Sequence, residues 1–239
     1  MPTRIRIRTR ATRMTDHASA LAALQQADSF FPGGAMAFSW GLEALRRDAL
    51  VVDARTLAAF VRTQALRRWA TFDQGIVCAA WRAGDDLDAW READALCEAM
   101  TLPEPLRSGS RRLGRTLADV HARLGLDAAR RLRDALAERA SPGHLPAVQG
   151  GVWRALGIGL DDARAVSAHT VCTGAVSAAV RLGLVGHLDA QRVLASLRAP
   201  LADVLSRDAP EPAALSSTTF AADIAALRHA AHDARLFAN

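Results

Sequence analysis

Ser39 sits in the stretch ADSFFPGGAMAFSWGLEAL, Ala27 to Leu45, and is the first side chain to weigh for chemistry. A nucleophilic serine needs a base, here His17 or His144. The flanking F-S-W-G lacks the G-x-S-x-G elbow and its strand-to-helix turn, so Ser39 reads as a helix cap or a packing contact. His229, His232 and Asp233 stand at i, i+3 and i+4, a spacing that lets two or three side chains meet one metal ion on a helix face. Ordinary solvation of a terminal helix explains the same spacing. PGGAM, at 32–36, is too short for a phosphate loop, and the Walker pattern ends in a lysine that this chain lacks altogether. GIGLDD, Gly157 to Asp162, has G-x-G with neither a third glycine nor a preceding strand, and reads as a helix–helix turn.

Two further groups offer recognition rather than catalysis. Arg107, Arg111, Arg112 and Arg115 crowd four cations into nine positions. On a helix Arg107, Arg111 and Arg115 line one stripe with Arg112 beside it. That stripe is either a solvated face or a docking surface for an acidic partner, since guanidinium pairs with carboxylate in a planar fork. Phe30, Phe31, Phe38 and Trp40 place four aromatics in eleven positions of a chain that is 5% aromatic. Aromatics beside a glycine-rich turn either staple helices into the core or serve an interface.

The elements that would position these groups are helical. Alanine, leucine and arginine dominate, β-branched residues are sparse, and no alternating run of useful length follows residue 14. Leu21, Leu24 and Ala27 share a helical face, and Leu57, Phe60, Val61 and Leu66 recur near 3.6. Helices are expected at 17–27, 37–47, 54–82, 86–100, 106–124, 127–140, 146–157, 161–182, 187–198 and 218–234. Asp53 caps the third with Thr56 three residues on, Gly125 ends the fifth, and Asp127 caps the sixth. SPGHLP, 141–146, is a connector. The small-residue run AVSAHTVCTGAVSAAVRLGLV is a buried central helix. RDAPEPAALSS, 207–217, is a linker held extended by two prolines. The expected fold is all-α: one compact multi-helix domain of about ten helices, 14–207, a basic disordered extension at 1–13, and a mobile C-terminal segment at 208–239 made of hinge and docking helix. In that helix Phe220, Ile224, Leu227 and Ala231 form an apolar stripe.

Composition excludes several classes. No apolar run reaches the roughly 18 to 20 residues that cross a bilayer. The pI near 10.6 and net charge of +5 invite a nucleic-acid reading. Yet Arg4, Arg6, Arg8, Arg10 and Arg13 supply that excess, and the remaining 25 arginines balance the 25 acids. The head is an arm for polyanions, or a disordered extension, or sequence upstream of a start at Met14. Cys78, Cys97 and Cys172 are odd in number and far apart, which fits a reducing cytoplasm.

The same stretch resembles the UreF family of urease accessory proteins, whose first motif is similar to A-D-S-x-x-P-x-G-G-[FY]-x-H-S-x-G-L-E. Ala27, Asp28, Ser29, Pro32, Gly34, Ser39, Gly41, Leu42 and Glu43 fit in register. EPLRSGSRRLGRTL, HLPAVQG, VSAAVRL with GHLDAQRVL, and the final ARLFAN resemble four further family segments in order. Ala35, Met36 and Phe38 depart from the motif, and Gly33 follows Pro32 as the turn residue. The resemblance implies an all-helical homodimer that binds UreD (also called UreH), recruits the GTPase UreG to apo-urease, and is not itself an enzyme. Nickel passes through the complex, and no cofactor is tightly bound. Arg235, Leu236 and Phe237 belong to the tail that orders against UreD. The alternative is a divergent helical adaptor without a urease partner. Neither reading needs nucleic acid or membrane.

Overall fold

The computed structural model of the chain describes residues 17–33, 39–229 and 237, apart from the side chain of His229. The described residues contain helices and connectors and no strand. In chain order the α-helices are α1 (His17–Ala27), α2 (Leu42–Arg47), α3 (Ala54–Gln64), α4 (Gln74–Ala83), α5 (Leu87–Met100) and α6 (Glu104–Arg123). They continue as α7 (Asp127–Ala137), α8 (Leu145–Ala155), α9 (Leu160–Arg181), α10 (His187–Leu205) and α11 (Phe220–His229). No helix among these residues is long and apolar enough to cross a membrane.

The single helix expected over 54–82 is three pieces: α3 and α4 flank a π-helical stretch, Ala65–Asp73. Its cause is a buried pattern of adjacent pairs every four residues: Gln64 and Ala65, Arg68 and Trp69, Phe72 and Asp73, then Ile76 and Val77. That spacing exceeds 3.6 per turn, and a wider helix keeps all four pairs inward. Asp53 starts α3 as expected. It accepts from the Thr56 amide at 2.8 Å, and its own amide donates to Thr56 Oγ1 at 3.1 Å.

Other boundaries move for local reasons. The helix expected from 37 begins at Leu42, because Trp40 and Gly41 take the left-handed conformation with φ of 55° and 81°. Leu126 rather than Asp127 stands at the N-cap of α7, and Asp127 instead pairs with Arg130 inside the first turn. α10 runs through Pro200 to Leu205 instead of ending at 198. Residues 230–234 of the expected last helix lie outside the described residues.

Two large apolar clusters form most of the core, and a small third one joins Leu106 and Leu113 of α6 to Ala226 of α11. The first gathers α1, α4 to α8 and the start of α9; the second gathers α2, α3, α10, α11 and the rest of α9. The central α9 therefore bridges them, as its small-residue composition implies. α4 and α8 cross at very short range, because Gly150 leaves room: a Cβ there would lie 2.4 Å from the Val77 carbonyl oxygen. Leu21 and Leu24 of α1 do share a face, but it points outward, with 66% and 67% exposure, while Ser19, Ala23 and Gln26 are buried.

Candidate functional site

The turn at Trp40 and Gly41 and the helix α2 hold the C-terminal segment, and the loop after α1 packs elsewhere. Asp28 Oδ1 accepts from the Phe30 amide at 2.9 Å and makes a tight turn after α1. Phe31 stacks on the His121 ring with centroids 5.1 Å apart, while Phe30 is 92% exposed. Ser29 is exposed, and Pro32 follows in the same turn. Ser39 is fully buried, and its carbonyl accepts from the Leu42 amide, so its hydroxyl meets no substrate from solvent. Gly34 and the departures Ala35, Met36 and Phe38 lie outside the described residues.

Trp40, Gly41 and Glu43 then do three different jobs. Trp40 lies over the Arg68 guanidinium at 5.6 Å, and Phe72 lies over the same group at 5.5 Å. Gly41 lets the backbone of α11 approach to a distance no side chain permits. Glu43 Oε2 accepts from the Phe237 amide at 3.2 Å, and the buried Phe237 ring sits 4.7 Å below the Arg181 guanidinium. Arg235 and Leu236 lie outside the described residues, as do His232 and Asp233. Among the described residues no cluster of three or more ligating side chains forms a metal site.

Arg68 and Asp73 are both about 6% exposed and form an ion pair at 3.4 Å inside the π-helical stretch. Burial pushes the Asp73 carboxyl above its ordinary value, against the pull of Arg68 and His144. Burial likewise raises Asp223 on α11, with Arg68 and a Thr219 hydrogen bond pulling it down. One guanidinium thus serves two elements and two rings. The linker after α10 is fastened to the same stretch: the Ser216 amide donates to the Thr71 carbonyl and the Thr218 amide to the Arg67 carbonyl, both at 3.0 Å. Sequence reading missed Arg68 and Asp73. The four-residue spacing in RRWATFD was the signal available.

α11 packs on α2 and α6 through alanines. Ala222, Ala225 and Ala226 are buried, while Phe220, Ile224 and Leu227 are 69%, 54% and 53% exposed. The large apolar side chains of the helix therefore face solvent. Exposed Leu50 stands with Phe220 on the rim of one shallow groove between α3 and the start of α11.

The arginine stripe on α6 divides. Arg107 and Arg111 turn toward Glu98 and Glu104, with Arg111 contacts of 2.7 to 3.0 Å, and Arg107 also donates to the carbonyls of Thr101 and Leu102. Most of their donors are spent inside the chain. Arg112 is exposed. Glu98 also meets His144 Nε2 at 2.7 Å, and Asp94 accepts from Ser141 Oγ and from the amides of Gly143 and His144. Burial pushes Glu98 up, but its bonds to His144 and Arg111 prevail and hold it below the ordinary value. Burial lowers His144 against those same carboxylates. The SPGHLP connector is thereby bolted to α5, and His144 is committed there and not to Ser39.

The UreF family model matches residues 51–198. The urease accessory protein UreF of Rhizobium etli (strain CIAT 652) is 34% identical over 210 residues, covering 87% of this chain and 90% of the relative. That of Rhizobium leguminosarum bv. trifolii is 36% identical over 214 residues with the same coverage. That of Mesorhizobium japonicum is 31% identical over 237 residues, 94% of this chain and 99% of the relative.

Proposed function

Since this chain belongs to the UreF family of urease accessory proteins, we propose that it is a non-catalytic scaffold for urease maturation. With UreD it recruits and regulates the GTPase UreG on apo-urease, so that nickel, as cargo, reaches the apo-enzyme. It works as a cytoplasmic homodimer and holds no tightly bound cofactor. One observation carries this reading. α11 is fastened by its small residues and turns Phe220, Ile224 and Leu227 outward, which is the pattern of a helix that presents an apolar stripe to a groove in a partner.

The test separates folding from docking. Ile224→Arg with Leu227→Arg alters side chains already in solvent, so circular dichroism and melting should stay as in the unmodified chain. Calorimetry against UreD should show binding weakened about thirtyfold or more, the order expected for losing one apolar anchor worth about 2 kcal/mol. Removing residues 210–239 should abolish binding and urease activation. Unchanged affinity in both variants overturns the docking role of this segment.

A further inference from the structure

The shallow groove between α3 and the start of α11 encloses about 480 Å³. Leu45, Val51 and Phe60 form its floor and are buried. Leu50 and Phe220 stand on its rim, and Ala59 and Thr63 of α3 line one wall; all four are exposed. Contiguous apolar surface with polar residues around it marks a site of interaction. A site for a small molecule encloses most of its ligand, whereas an open groove covers one side only. The occupant is therefore part of a larger molecule.

The surroundings of the groove are cationic. Residues 44–72 carry six arginines and two acids, in a body whose charges balance overall. Both acids are committed. Asp48 Oδ2 accepts from Arg228 at 3.2 Å, and Asp53 Oδ1 accepts from the Thr56 amide at 2.8 Å and lies near Arg55. Arg68 is held by Asp73. Arg62 stands three residues after Ala59, so it flanks the groove on the same side of α3. Arg67 stands at the end of the groove, because its carbonyl accepts from the amide of Thr218, which lines it. Arg62 and Arg67 are exposed and take part in none of the ion pairs among the described residues.

An apolar floor with free guanidinium groups beside it complements a helix that carries apolar side chains on one face and carboxylates on its flanks. A bilayer is flat and leaves a concavity unfilled. The acidic helix α5 of a second copy does not supply such a face, because its Trp90, Ala93 and Cys97 are buried in its own core. We propose that this groove is a docking site for an acidic amphipathic helix of a partner protein. It is a second contact surface, since neither Ile224 nor Leu227 lines it and Phe220 alone belongs to both. It stands whether or not the α11 stripe docks UreD.

The probe is a fluorescein-labelled synthetic peptide of roughly 18 residues, long enough to hold a helix. Leucine and phenylalanine occupy one face and glutamate both flanks. One control replaces the leucines and phenylalanines by serine and keeps every charge, so it measures any attraction to the arginine head. The other replaces glutamate by lysine. Fluorescence anisotropy follows titration with the full chain. The probe should bind saturably and about tenfold tighter than either control. Arg62→Glu with Arg67→Glu should keep the circular dichroism and weaken binding about tenfold or more. Leu50→Ser should weaken it about threefold or more, and it decides the matter should the double variant fail to fold. Ile224→Ser with Leu227→Ser should leave the affinity as it is. The proposal falls if binding is not saturable, if the serine control binds as well, if the folded groove variants bind unchanged, or if the stripe variant alone binds less. Phosphatidylserine vesicles that bind in place of the probe and are lost with Arg62 and Arg67 would assign the face to a membrane and overturn it. Self-association abolished by the same double variant would assign it to a second copy and overturn it likewise.

Discussion

Gly41 answers two demands at one position. Its φ of 81° is in the left-handed region, and a Cβ there would lie 2.7 Å from the Ala222 carbonyl oxygen of α11. Gly41→Ala should therefore loosen α11 while leaving the rest folded, a loss of about 1–3 kcal/mol. Limited proteolysis should cut earlier between 210 and 229 than in the unmodified chain. Gly33→Ala is the control, since among the described residues its Cβ would meet nothing closer than 3.6 Å. An unchanged cleavage pattern in Gly41→Ala would show that the close approach is dispensable. His121 belongs to the same scale. Burial lowers its pKa from 6.5 to about 4, so the folded chain holds it neutral while the unfolded chain takes up a proton first. Its stabilising contribution is complete above pH 6.5 and is lost as pH falls toward 4, a change on the order of 2–3 kcal/mol. Urea midpoints between pH 7 and pH 4.5 should fall, and His121→Gln should flatten that slope.

The close crossing of α4 and α8 sets the scale of the element. Gly150→Ala places a methyl group 2.4 Å from the Val77 carbonyl and 2.7 Å from Ala80 Cβ, both on a rigid helix. Forcing the helices apart should cost about 3 kcal/mol or more, read as a large drop in melting temperature or as insoluble protein. Most elements were legible because they rest on local rules. Asp53 with Thr56, Gly125 and the SPGHLP connector each carry their own boundary in their residue types. The π-helical stretch was not legible to a search at 3.6, although its four-residue spacing was in plain view. Nor was the pairing of Arg107 and Arg111 with Glu98, because that carboxylate belongs to α5 and comes within reach only in the folded chain, whereas Glu104 stands on α6 itself, three residues before Arg107. The Leu21 and Leu24 face was found and its direction was not, since periodicity gives a face and packing decides which way it points. The Phe220, Ile224 and Leu227 stripe was legible, and its solvent-facing direction came only with the alanines packed on α2 and α6.

At the scale of the whole molecule, charge separates into a cationic head and a neutral body. Residues 14–239 carry equal numbers of arginines and acids, and many of the described arginines are tied to carboxylates by short ion pairs. Deleting residues 1–13 should leave melting temperature and UreD binding unchanged. The shortened chain should show no DNA binding whose logarithm falls steeply with the logarithm of salt, the signature of released counterions. Steep salt dependence in the shortened chain would mean that the body itself carries an anion-binding face.

The seating of Trp40 over Arg68 also has an optical consequence. The chain has no tyrosine, so its near-ultraviolet absorption and emission come almost wholly from five tryptophans. Trp69, Trp90 and Trp153 are sealed in the core, and Trp81 is held by the Ile158 carbonyl. Trp40 stands on the turn that touches α11, with the Arg68 guanidinium against its ring, while the cation over Trp81 is Arg154 of α8. Any event that lifts α11 changes the environment of this one fluorophore while the other four keep theirs. The chain carries an intrinsic emission reporter for the state of its own C-terminal segment, readable without a label.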